Sequence, residues 1–348
     1  MTRSWVEVSL SRIKANAAAV RRIIGDRREI IAVVKADAYG HGAPPVAEAL
    51  RACGVTSFAT ATLAEALELR EVVLDSRILV MMGCSEGEER AFRGSSLTAS
   101  VFQPGKLPTG VSVELKIDSG MGRMGIPLDK ARPAIEAAGE QLVGVFSHFA
   151  SAESDEEFSR RQLAAFLEQV EGVKCRRHMA NSAGLRYPEA LLDAVRPGLA
   201  LYGIPPCPEV SGLQPALAWK TKILDVRALQ PGDTVGYGRT FTVSRPSRIA
   251  VLPVGYADGY KRRLSNVGQV KIDGRLAPVV GNISMDFTTV DVTDLPDVAP
   301  GDVATLIEAD LKSPISAAAM ARLLGTVPYE VLTSIGARVH HVYPDELR

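Results

Sequence analysis

The sequence is poor in the features that mark disulfide-linked, secreted and membrane proteins. It has four cysteines in 348 residues and no Cys-x-x-Cys pair, so we expect reduced thiols rather than disulfides or zinc ligands. No apolar stretch is long enough to span a bilayer, and no apolar run follows Arg3 as a signal peptide would require. These absences predict a soluble cytoplasmic protein with no membrane partner.

The sequence also lacks an excess of charge of either sign. Forty basic residues balance forty acidic ones, so the net charge gives no reason to expect a nucleic-acid partner. Of the five histidines, His340 and His341 are adjacent, and adjacent residues on a strand point to opposite faces. The other three histidines lack the spacing of metal ligands, and we therefore expect no metal site.

What the sequence does contain, between about residues 10 and 205, is a regular alternation of short apolar runs with helical patterns. Eight strands alternating with helices predict an α/β protein with an N-terminal (β/α)8 TIM barrel, and a doubly wound sheet is the alternative. The clearest helices are 10–24 and 154–170, the latter with a capping box at Ser154 and Glu157. The predicted strands are 30–34, 57–59, 78–82, 97–102, 111–117, 142–146, 174–179 and 194–201.

The pattern changes after Pro215, where hydrophobic runs are separated by closely spaced turn signals. Short strands with frequent turns predict a C-terminal, mostly antiparallel β domain. One helix is predicted inside it at 314–324, with Ser313 as N-cap and Pro314 in the first helical position. We predict a barrel domain at 9–228 and a β domain at 229–348, with residues 1–8 packed against the β domain.

Polar residues cluster at the C-terminal ends of the predicted barrel strands, where this fold carries its chemistry. Burial of Lys35 at the end of the first strand would lower the pKa of its amine and favour a Schiff base; a lysine that extends to solvent is the alternative. Arg196 lies in an apolar strand and requires a partner, either in a structural ion pair or in a cofactor. The other polar residues at these ends are Lys116, Asp118, His148, Asn181 and Ser182.

The last two barrel strands also predict an anion site. Asn181 and Ser182 offer polar side chains and amides at the start of a predicted helix, and Gly198 permits close backbone approach on the neighbouring strand. Such residues are also ordinary in turns, which is the alternative explanation. Strands seven and eight are, however, the usual place for phosphate in this barrel.

Eight segments resemble the alanine racemase family and follow that family's order along nearly the whole chain. The resemblance implies a barrel that binds pyridoxal 5'-phosphate (PLP), followed by a β domain, in a head-to-tail homodimer with composite active sites. It implies an enzyme that interconverts L-alanine and D-alanine and supplies D-alanine for cell-wall peptidoglycan. The segments are VVKADAYGHG (33–42), KIDSGMGRMG (116–125), SHFASAE (147–153), HMANSAG (178–184), VRPGLALYG (195–203), VGYADGYKRRLSN (254–266), GNISMD (281–286) and GTVPYEVL (325–332).

The same resemblance implies a role for each matching residue. Lys35 would carry PLP and act as the base on one face of the substrate, and Tyr256 of the partner subunit would act on the other face. The remaining assignments are Tyr39, Asn181, Ser182, Gly198 and Leu199 at the phosphate, Arg196 at the pyridine nitrogen with His178 behind it, His148 near the ring, Arg123 near the cofactor oxygen and the substrate carboxylate, Met285 at the substrate, and Lys116 and Asp286 as supporting residues. Lys116 matches a lysine that is carbamylated in some relatives.

The sequence departs from the family pattern near the expected entrance of the active site. Ala337 stands where some relatives have a tyrosine that narrows the entrance, and Asn282 and Ser284 replace an arginine and a cysteine of the partner-side motif. A wider entrance would admit serine as well as alanine. The alternatives to a racemase are another PLP barrel enzyme, such as an amino-acid decarboxylase or a D-amino-acid aldolase, and a non-catalytic PLP carrier.

Overall fold

The computed structural model describes residues 3–347, which fall into two compact units. One unit is Arg12–Leu213, and the other combines residues 3–11 with residues 214–347. This division lies upstream of the predicted boundary at 228/229, because the strand Leu217–Lys222 already pairs with strand β1 (Ser4–Val8) in the second unit. Residues 1–2, predicted to pack with the β domain, lie outside the described residues, as does residue 348.

Eight parallel strands of the unit Arg12–Leu213 close into a barrel. The strands of this unit are β2 (Glu29–Val33), β3 (Ser57–Thr60), β4 (Arg77–Val80), β5 (Thr98–Val101), β6 (Ser112–Asp118), β7 (Ile126–Pro127), β8 (Leu142–Phe146), β9 (Arg176–His178) and β10 (Ala194–Val195). Their order around the barrel is β2-β3-β4-β5-β6-β8-β9-β10, and β10 pairs with β2; the short β7 pairs with the end of β6. The predicted (β/α)8 barrel is confirmed, and the doubly wound alternative is wrong because β10 and β2 leave no open edge.

Helices separate most of these strands. Helix α1 is amphipathic, since its buried residues Ile13, Ala17, Val20 and Ile24 recur at helical spacing, and the predicted helix 10–24 is confirmed. The helices of this unit are α1 (Leu10–Ile24), α2 (Lys35–Gly40), α3 (Ala43–Ala52), α4 (Leu63–Arg70), α5 (Glu89–Gly94), α6 (Leu128–Ala138) and α7 (Glu156–Gln169), with 3-10 helices at Gly139–Gln141, Ala183–Arg186 and Pro188–Ala190.

Helix α7 begins later than its predicted capping box. The Asp155 carboxylate accepts the amide of Phe158 at 2.9 Å and is the N-cap. Ser154 belongs to the preceding turn, where its amide donates to the carbonyl of Ser151 at 3.0 Å. The predicted cap at Ser154 is therefore wrong by one residue, because two neighbouring side chains could have capped this helix.

The last barrel strand is shorter than predicted. The sequence indicated 194–201, whereas β10 has two residues. Pro197 has no amide with which to continue the pairing, and the chain turns immediately afterwards, with the amide of Leu201 donating to the carbonyl of Gly198 at 2.9 Å. Residues after Pro197 thus form a turn at the barrel mouth instead of a strand.

The second unit is built mainly from antiparallel strands, as predicted. Its six-stranded sheet has the order β17-β16-β19-β11-β1-β20, in which β1 and β20 run parallel, and smaller sheets join β12-β15-β18 and β13-β14. Besides β1, the elements are β11 (Leu217–Lys222), β12 (Asp225–Leu229), β13 (Thr234–Val235), β14 (Phe241–Thr242), β15 (Ser247–Leu252), β16 (Gln269–Ile272), β17 (Arg275–Pro278), β18 (Thr288–Asp291), β19 (Val303–Ile307), β20 (His340–Val342), α8 (Ala317–Leu324), α9 (Pro328–Thr333) and 3-10 helices at Tyr237–Arg239, Tyr256–Asp258 and Arg262–Leu264. In the described chain, no helix has the length and apolar character that crossing a bilayer requires.

Helix α8 also begins after its predicted start. The Ser316 hydroxyl accepts the amide of Ala319 at 3.1 Å and caps a helix that starts at Ala317. Ser313 caps only the turn before it, and Pro314 lies in that turn. The proline therefore precedes the helix instead of occupying its first position.

Candidate active site

The C-terminal ends of the barrel strands bring several basic side chains together. Lys35 follows β2, Lys116 lies near the end of β6, and Arg196 follows β10. His148 follows β8, and its Nδ1 lies 3.3 Å from Nη2 of Arg196. Burial and then the charges of Arg196, Arg123, Lys116 and Lys35 lower the pKa of His148 well below its ordinary value. The imidazole is therefore neutral at neutral pH and belongs to one electrostatic cluster at the barrel mouth.

The chain leaves β2 through a turn of left-handed helix that directly follows Lys35. The next four residues have φ between 50° and 56°, a conformation that costs non-glycine residues roughly 1–2 kcal/mol each. Two carboxylates fix the turn: Glu65 accepts the amide of Ala36 at 2.9 Å, and Asp37 accepts the amide of Ala43 at 2.6 Å. Contacts from outside the turn thus hold a strained backbone beside Lys35.

The Lys35 amine has a pKa below that of an ordinary lysine. Burial lowers it most, the charge of Arg123 lowers it further, and the Glu65 carboxylate raises it in part. A larger fraction of the amine is therefore neutral near neutral pH. A neutral amine is the form that can attack a carbonyl carbon, so Lys35 has the chemistry of a covalent attachment site.

Ser182 and the turn after β10 form an anion cradle. The Ser182 hydroxyl oxygen accepts the amides of Gly198 at 3.0 Å and Ala200 at 3.1 Å. Because both amides donate to this oxygen, the hydroxyl hydrogen is available to an anion. A Cβ atom on Gly198 would lie 2.5 Å from the hydroxyl oxygen of Tyr39, so glycine is required for this close approach.

Neighbouring residues hold the anion cradle in place. Asn181 accepts the amide of Gly184 at 2.8 Å and shapes the turn after β9, and Leu199 is buried. The ring of Tyr39 stacks on that of Tyr202, with centroids 4.9 Å apart. The Tyr202 hydroxyl donates to the backbone of β2 at 2.8 Å, which ties the cradle to the strand that carries Lys35.

The Arg196 guanidinium is almost completely buried and is held from several sides. Its Nη1 contacts Nδ1 of His178, and its Nη2 donates to the carbonyls of Ser147 at 2.5 Å and Met179 at 3.2 Å. Burial lowers the pKa of Arg196 to about 10, so the group is still charged at neutral pH. Its Nε is also buried and has no hydrogen-bond partner among the described residues. A buried donor without an acceptor is costly and points to a ligand that supplies one.

The loop after β6 carries Arg123 to the same region. The Asp118 carboxylate accepts the amides of residues 120–122 at 2.8 to 3.2 Å, which closes the loop. Lys116 is buried, and burial and then the charges of Arg123 and Arg196 lower its pKa to about 8. Strand β6 thus adds an amine of lowered pKa to the barrel mouth, and the loop after it adds a permanent cation.

Three residues next to these groups escaped the sequence analysis. Glu114 lies two positions before Lys116 in β6 and therefore shares its face of the strand, a signal that could have found it. Glu65 completes a capping box with Thr62 at the start of α4, which was a second available signal. Ser147 contributes its backbone carbonyl to Arg196, and a carbonyl contact leaves no trace in the sequence.

Tyr256, Met285 and Asp286 lie in the second unit, where two loop segments pack closely. A Cβ atom on Gly255 would lie 2.4 Å from the carbonyl oxygen of Met285, so the segments touch through backbone atoms. Arg338 binds Asp286 at 3.0 Å and anchors this motif. Tyr256 is 43% exposed and Met285 is 53% exposed, so both side chains can contact another molecule.

Two family models together match nearly the whole chain. The model of the alanine racemase N-terminal domain matches residues 8–206, and that of the alanine racemase C-terminal domain matches residues 216–343. The chain belongs to the alanine racemase family. It is therefore an enzyme of the racemase class, and the whole-chain match argues against the decarboxylase, aldolase and carrier alternatives.

Curated relatives and solved structures agree with this family assignment. The alanine racemase of Symbiobacterium thermophilum is 40% identical over 371 residues, and the match covers 99% of this chain and 98% of that protein. The alanine racemase of Syntrophobacter fumaroxidans is 38% identical over 365 residues, and the match covers 97% of this chain and 96% of that protein. The alanine racemase from Bartonella henselae with covalently bound pyridoxal phosphate has a TM-score of 0.89 at 30% identity, covering 99% of this chain and all of that one. The Bacillus anthracis alanine racemase with bound L-Ala-P has a TM-score of 0.90 at 32% identity, covering 99% and 95%.

Proposed function

We propose that the protein binds PLP on Lys35 and interconverts L-alanine and D-alanine with two bases. Lys35 acts on one face of the substrate Cα, and Tyr256 of the partner subunit acts on the other. The observation that carries this function is the set of groups on adjacent barrel strands: a lysine of lowered pKa, a buried arginine and an anion cradle. A similar solved protein, from Bartonella henselae, carries covalently bound pyridoxal phosphate.

The residues present fit PLP at both ends of the cofactor. The Ser182 hydroxyl, Tyr39 and the backbone at Gly198 and Leu199 would hold the phosphate, with Asn181 shaping the cradle. At the other end, the cofactor's pyridine nitrogen would accept the buried Nε–H of Arg196, for which the described residues supply no acceptor. His178 would orient Arg196, and His148 would lie beside the ring.

When bound, PLP supplies an electron sink that stabilises negative charge at the substrate Cα. The chain supplies the proton transfers. The Lys35 amine, with its lowered pKa, takes or returns the Cα proton on one face. The phenol of the partner's Tyr256 does the same on the other face. Because a tyrosine has an ordinary pKa near 10, it needs nearby cations to act as a base, and Arg123 and Lys116 would supply them.

The remaining predicted residues bind or support the substrate. Arg123 would hold the substrate carboxylate, because a guanidinium can make two parallel hydrogen bonds to it. Met285 would contact the substrate from the partner side, and Asp286 would be fixed there by Arg338. Arg196 only donates hydrogen bonds, so it disfavours a protonated pyridine ring. We infer that this suppresses transamination; an Arg196→Glu variant whose transamination does not rise would contradict this.

We further propose a cytoplasmic homodimer whose D-alanine supplies peptidoglycan synthesis. The exposed Tyr256 and Met285 would be covered by the partner subunit in this assembly. Ala337 is exposed, and the Asn282 side-chain amide donates to the carbonyl of Tyr237 at 2.8 Å. With neither a tyrosine nor an arginine at these positions, the entrance would admit serine as well as alanine.

The deciding experiment is incubation of the purified protein with PLP and either alanine enantiomer, followed by chiral analysis. We expect both enantiomers from either start, cofactor trapped on Lys35 by borohydride, and no racemisation by Lys35→Ala. Tyr256→Phe should slow both directions. Carbon dioxide release would instead indicate a decarboxylase, and PLP binding without Cα proton exchange in heavy water would indicate a carrier.

A further inference from the structure

A chain of buried polar side chains continues from Arg196 into the barrel interior. His178 contacts Arg196 through Nδ1, and its Nε2 lies 2.8 Å from Oε2 of Glu114. Both His178 and Glu114 are fully buried. The other Glu114 oxygen pairs with Arg176, and Arg176 donates to Glu29 at 2.6 Å. Arg196 therefore lies at one end of a continuous line of charged and polar groups.

The barrel makes room for the Glu114 carboxylate. Gly144 is the partner of Glu114 in the register between β6 and β8. A Cβ atom on Gly144 would lie 2.9 Å from Cδ of Glu114. A side chain at position 144 would thus displace the carboxylate, and the glycine indicates that the pocket is fitted to Glu114.

The hydrogen bonds leave His178 only one suitable neutral form. A carboxylate only accepts hydrogen bonds, so Nε2 must carry the proton that faces Glu114. A guanidinium only donates, so Nδ1 must present its lone pair to Arg196. The opposite tautomer would place an N–H against the N–H of Arg196 and a lone pair against the carboxylate. The neutral state follows from burial, which lowers the pKa of His178 most, and from Arg196, which together outweigh Glu114 and bring it to about 4.

We propose that Glu114 is a positioning residue, which fixes the tautomer of His178 and through it the orientation of the Arg196 guanidinium. Arg196 contacts the pyridine nitrogen of PLP only if the proposed function holds, so an effect of Glu114 on catalysis rests on that function. The tautomer itself belongs to the protein and can be measured without cofactor.

Replacing Glu114 with glutamine would remove the carboxylate that fixes the tautomer of His178. Arg176 donates to one oxygen of Glu114, so the glutamine oxygen would turn toward Arg176. Its NH2 group would then face His178 and demand a lone pair on Nε2, which is the opposite tautomer. Turning the amide round would instead set two donors, Arg176 and the NH2 group, against each other. Neither orientation leaves His178 as the Nε2–H form with all partners satisfied.

The first test is nitrogen NMR of the apoprotein labelled with 15N-histidine, at neutral pH. We expect the His178 resonances, assigned by their loss in His178→Gln, to show a proton on Nε2 and none on Nδ1. Glu114→Gln should lose this single state, whereas Glu114→Asp should retain it. Arg176→Gln keeps the carboxylate and should also retain it, so a general loosening of the barrel is distinguishable from loss of the carboxylate. An unchanged tautomer in Glu114→Gln would overturn the proposed role.

The second test measures how the same variants bind PLP. We expect Glu114→Gln to change the absorption of the bound cofactor and to weaken PLP affinity by about 10-fold or more, by analogy with the loss of hydrogen-bond partners behind metal ligands. Glu7→Gln is a matched control, because Glu7 is a carboxylate that pairs with Lys220 at 2.8 Å in the other unit. Suppose that borohydride traps PLP on Lys35 in the wild-type protein, and that Glu114→Gln binds PLP with unchanged affinity and absorption. The proposed role of Glu114 is then wrong, and the proposed function stands. If no PLP is trapped on Lys35, the proposed function fails, and the NMR result still decides the tautomer.

Discussion

Among individual residues, the basic side chains at the barrel mouth lower one another's pKa values. Arg123 lowers the pKa of both Lys35 and Lys116, and all three act on His148. Such a cluster attracts anions, which suits a phosphate and a carboxylate. It also raises the neutral fraction of the Lys35 and Lys116 amines above that of ordinary lysines.

Lys116 should react with carbon dioxide. Its pKa of about 8 leaves roughly a tenth of the amines neutral at pH 7, and a neutral amine attacks carbon dioxide to form an N–C bond with release of a proton. The product is an anion beside Arg123. We expect a carbamate signal in carbon NMR with 13C-bicarbonate, stronger at higher pH, absent in Lys116→Ala and retained in Lys174→Ala. No signal in the wild-type protein would show that Lys116 remains an amine.

The buried His178–Glu114 pair should make the apoprotein sensitive to acid. The pKa of His178 is about 4 in the folded protein against an ordinary 6.5, so its protonation on unfolding costs stability as pH falls from 6.5 to about 4. Burial raises the pKa of Glu114, but His178 and Arg176 outweigh it and lower the value from 4.5 to about 2, so this contribution is lost as pH falls through that range.

The contributions of His178 and Glu114 to stability both decrease as the pH falls, so the free energy of unfolding should decrease continuously below pH 6.5. Urea titrations across this range would measure it. Glu114→Gln should have a lower free energy of unfolding at neutral pH, because Arg176 and His178 lose the carboxylate that they bind. Asp294→Asn, in an exposed pair with Arg245, should have the wild-type value; equal values for all three proteins would contradict the assignment.

At the scale of secondary-structure elements, the left-handed turn after Lys35 is the least expected feature of the barrel. Its residues are alanine, aspartate and tyrosine, none of which signals positive φ as glycine does. Glu65 holds the turn from outside, and Asp37 and Tyr39 fix it through their contacts with Ala43 and Tyr202. Such long-range restraint explains why sequence patterns give no warning of it.

Ala36→Gly should stabilise the protein. Ala36 is exposed with φ of 50°, so glycine would remove strain of about 1 kcal/mol at the loss of little buried surface. Ala137→Gly, at an exposed site in α6, is the matched control and should destabilise by about 1 kcal/mol. Thermal unfolding would compare them. A lower midpoint for Ala36→Gly would show that the turn is not strained at this residue.

The sequence predicted the elements well and their ends less well. Periodicity located α1 to the residue, because a repeated apolar stripe averages over many positions. The caps of α7 and α8 were misplaced, because each depends on one hydrogen bond among several candidate side chains. The excess length predicted for β10 came from apolar residues that pack in a turn after Pro197.

For the whole molecule, the location of Lys35 and Tyr256 in different units permits a test of the proposed composite site in a homodimer. Lys35→Ala and Tyr256→Phe homodimers should each be nearly inactive. Subunits mixed after reversible dissociation should regain about a quarter of wild-type activity, because half of the dimers are mixed and each has one intact site. If both residues came from the same chain, mixed dimers would contain no intact site and no activity would return.

The residues of the candidate site differ in how strongly the local sequence pointed to each of them. Lys35 and Arg196 stood out because a charged residue in an apolar run must have a reason to be there. Tyr256 and Met285 were assigned only through the family resemblance, since an exposed tyrosine in a β domain carries no chemical signal. The structural division lies upstream of the predicted boundary at 228/229, because β11 pairs with β1 in the second unit.

Closure of the barrel by β10 against β2 has a consequence for synthesis of the chain on the ribosome. The residue that would hold the cofactor's aldehyde emerges early, whereas Ser182 and Gly198 emerge more than a hundred residues later. The amide of Val33 donates to the carbonyl of Pro197, at 3.0 Å, only when the first and last barrel strands, β2 and β10, are paired. An unfinished polypeptide therefore has neither the burial that lowers the pKa of Lys35 nor a place to bind a phosphate, and firm binding of the cofactor would begin only when the barrel is closed.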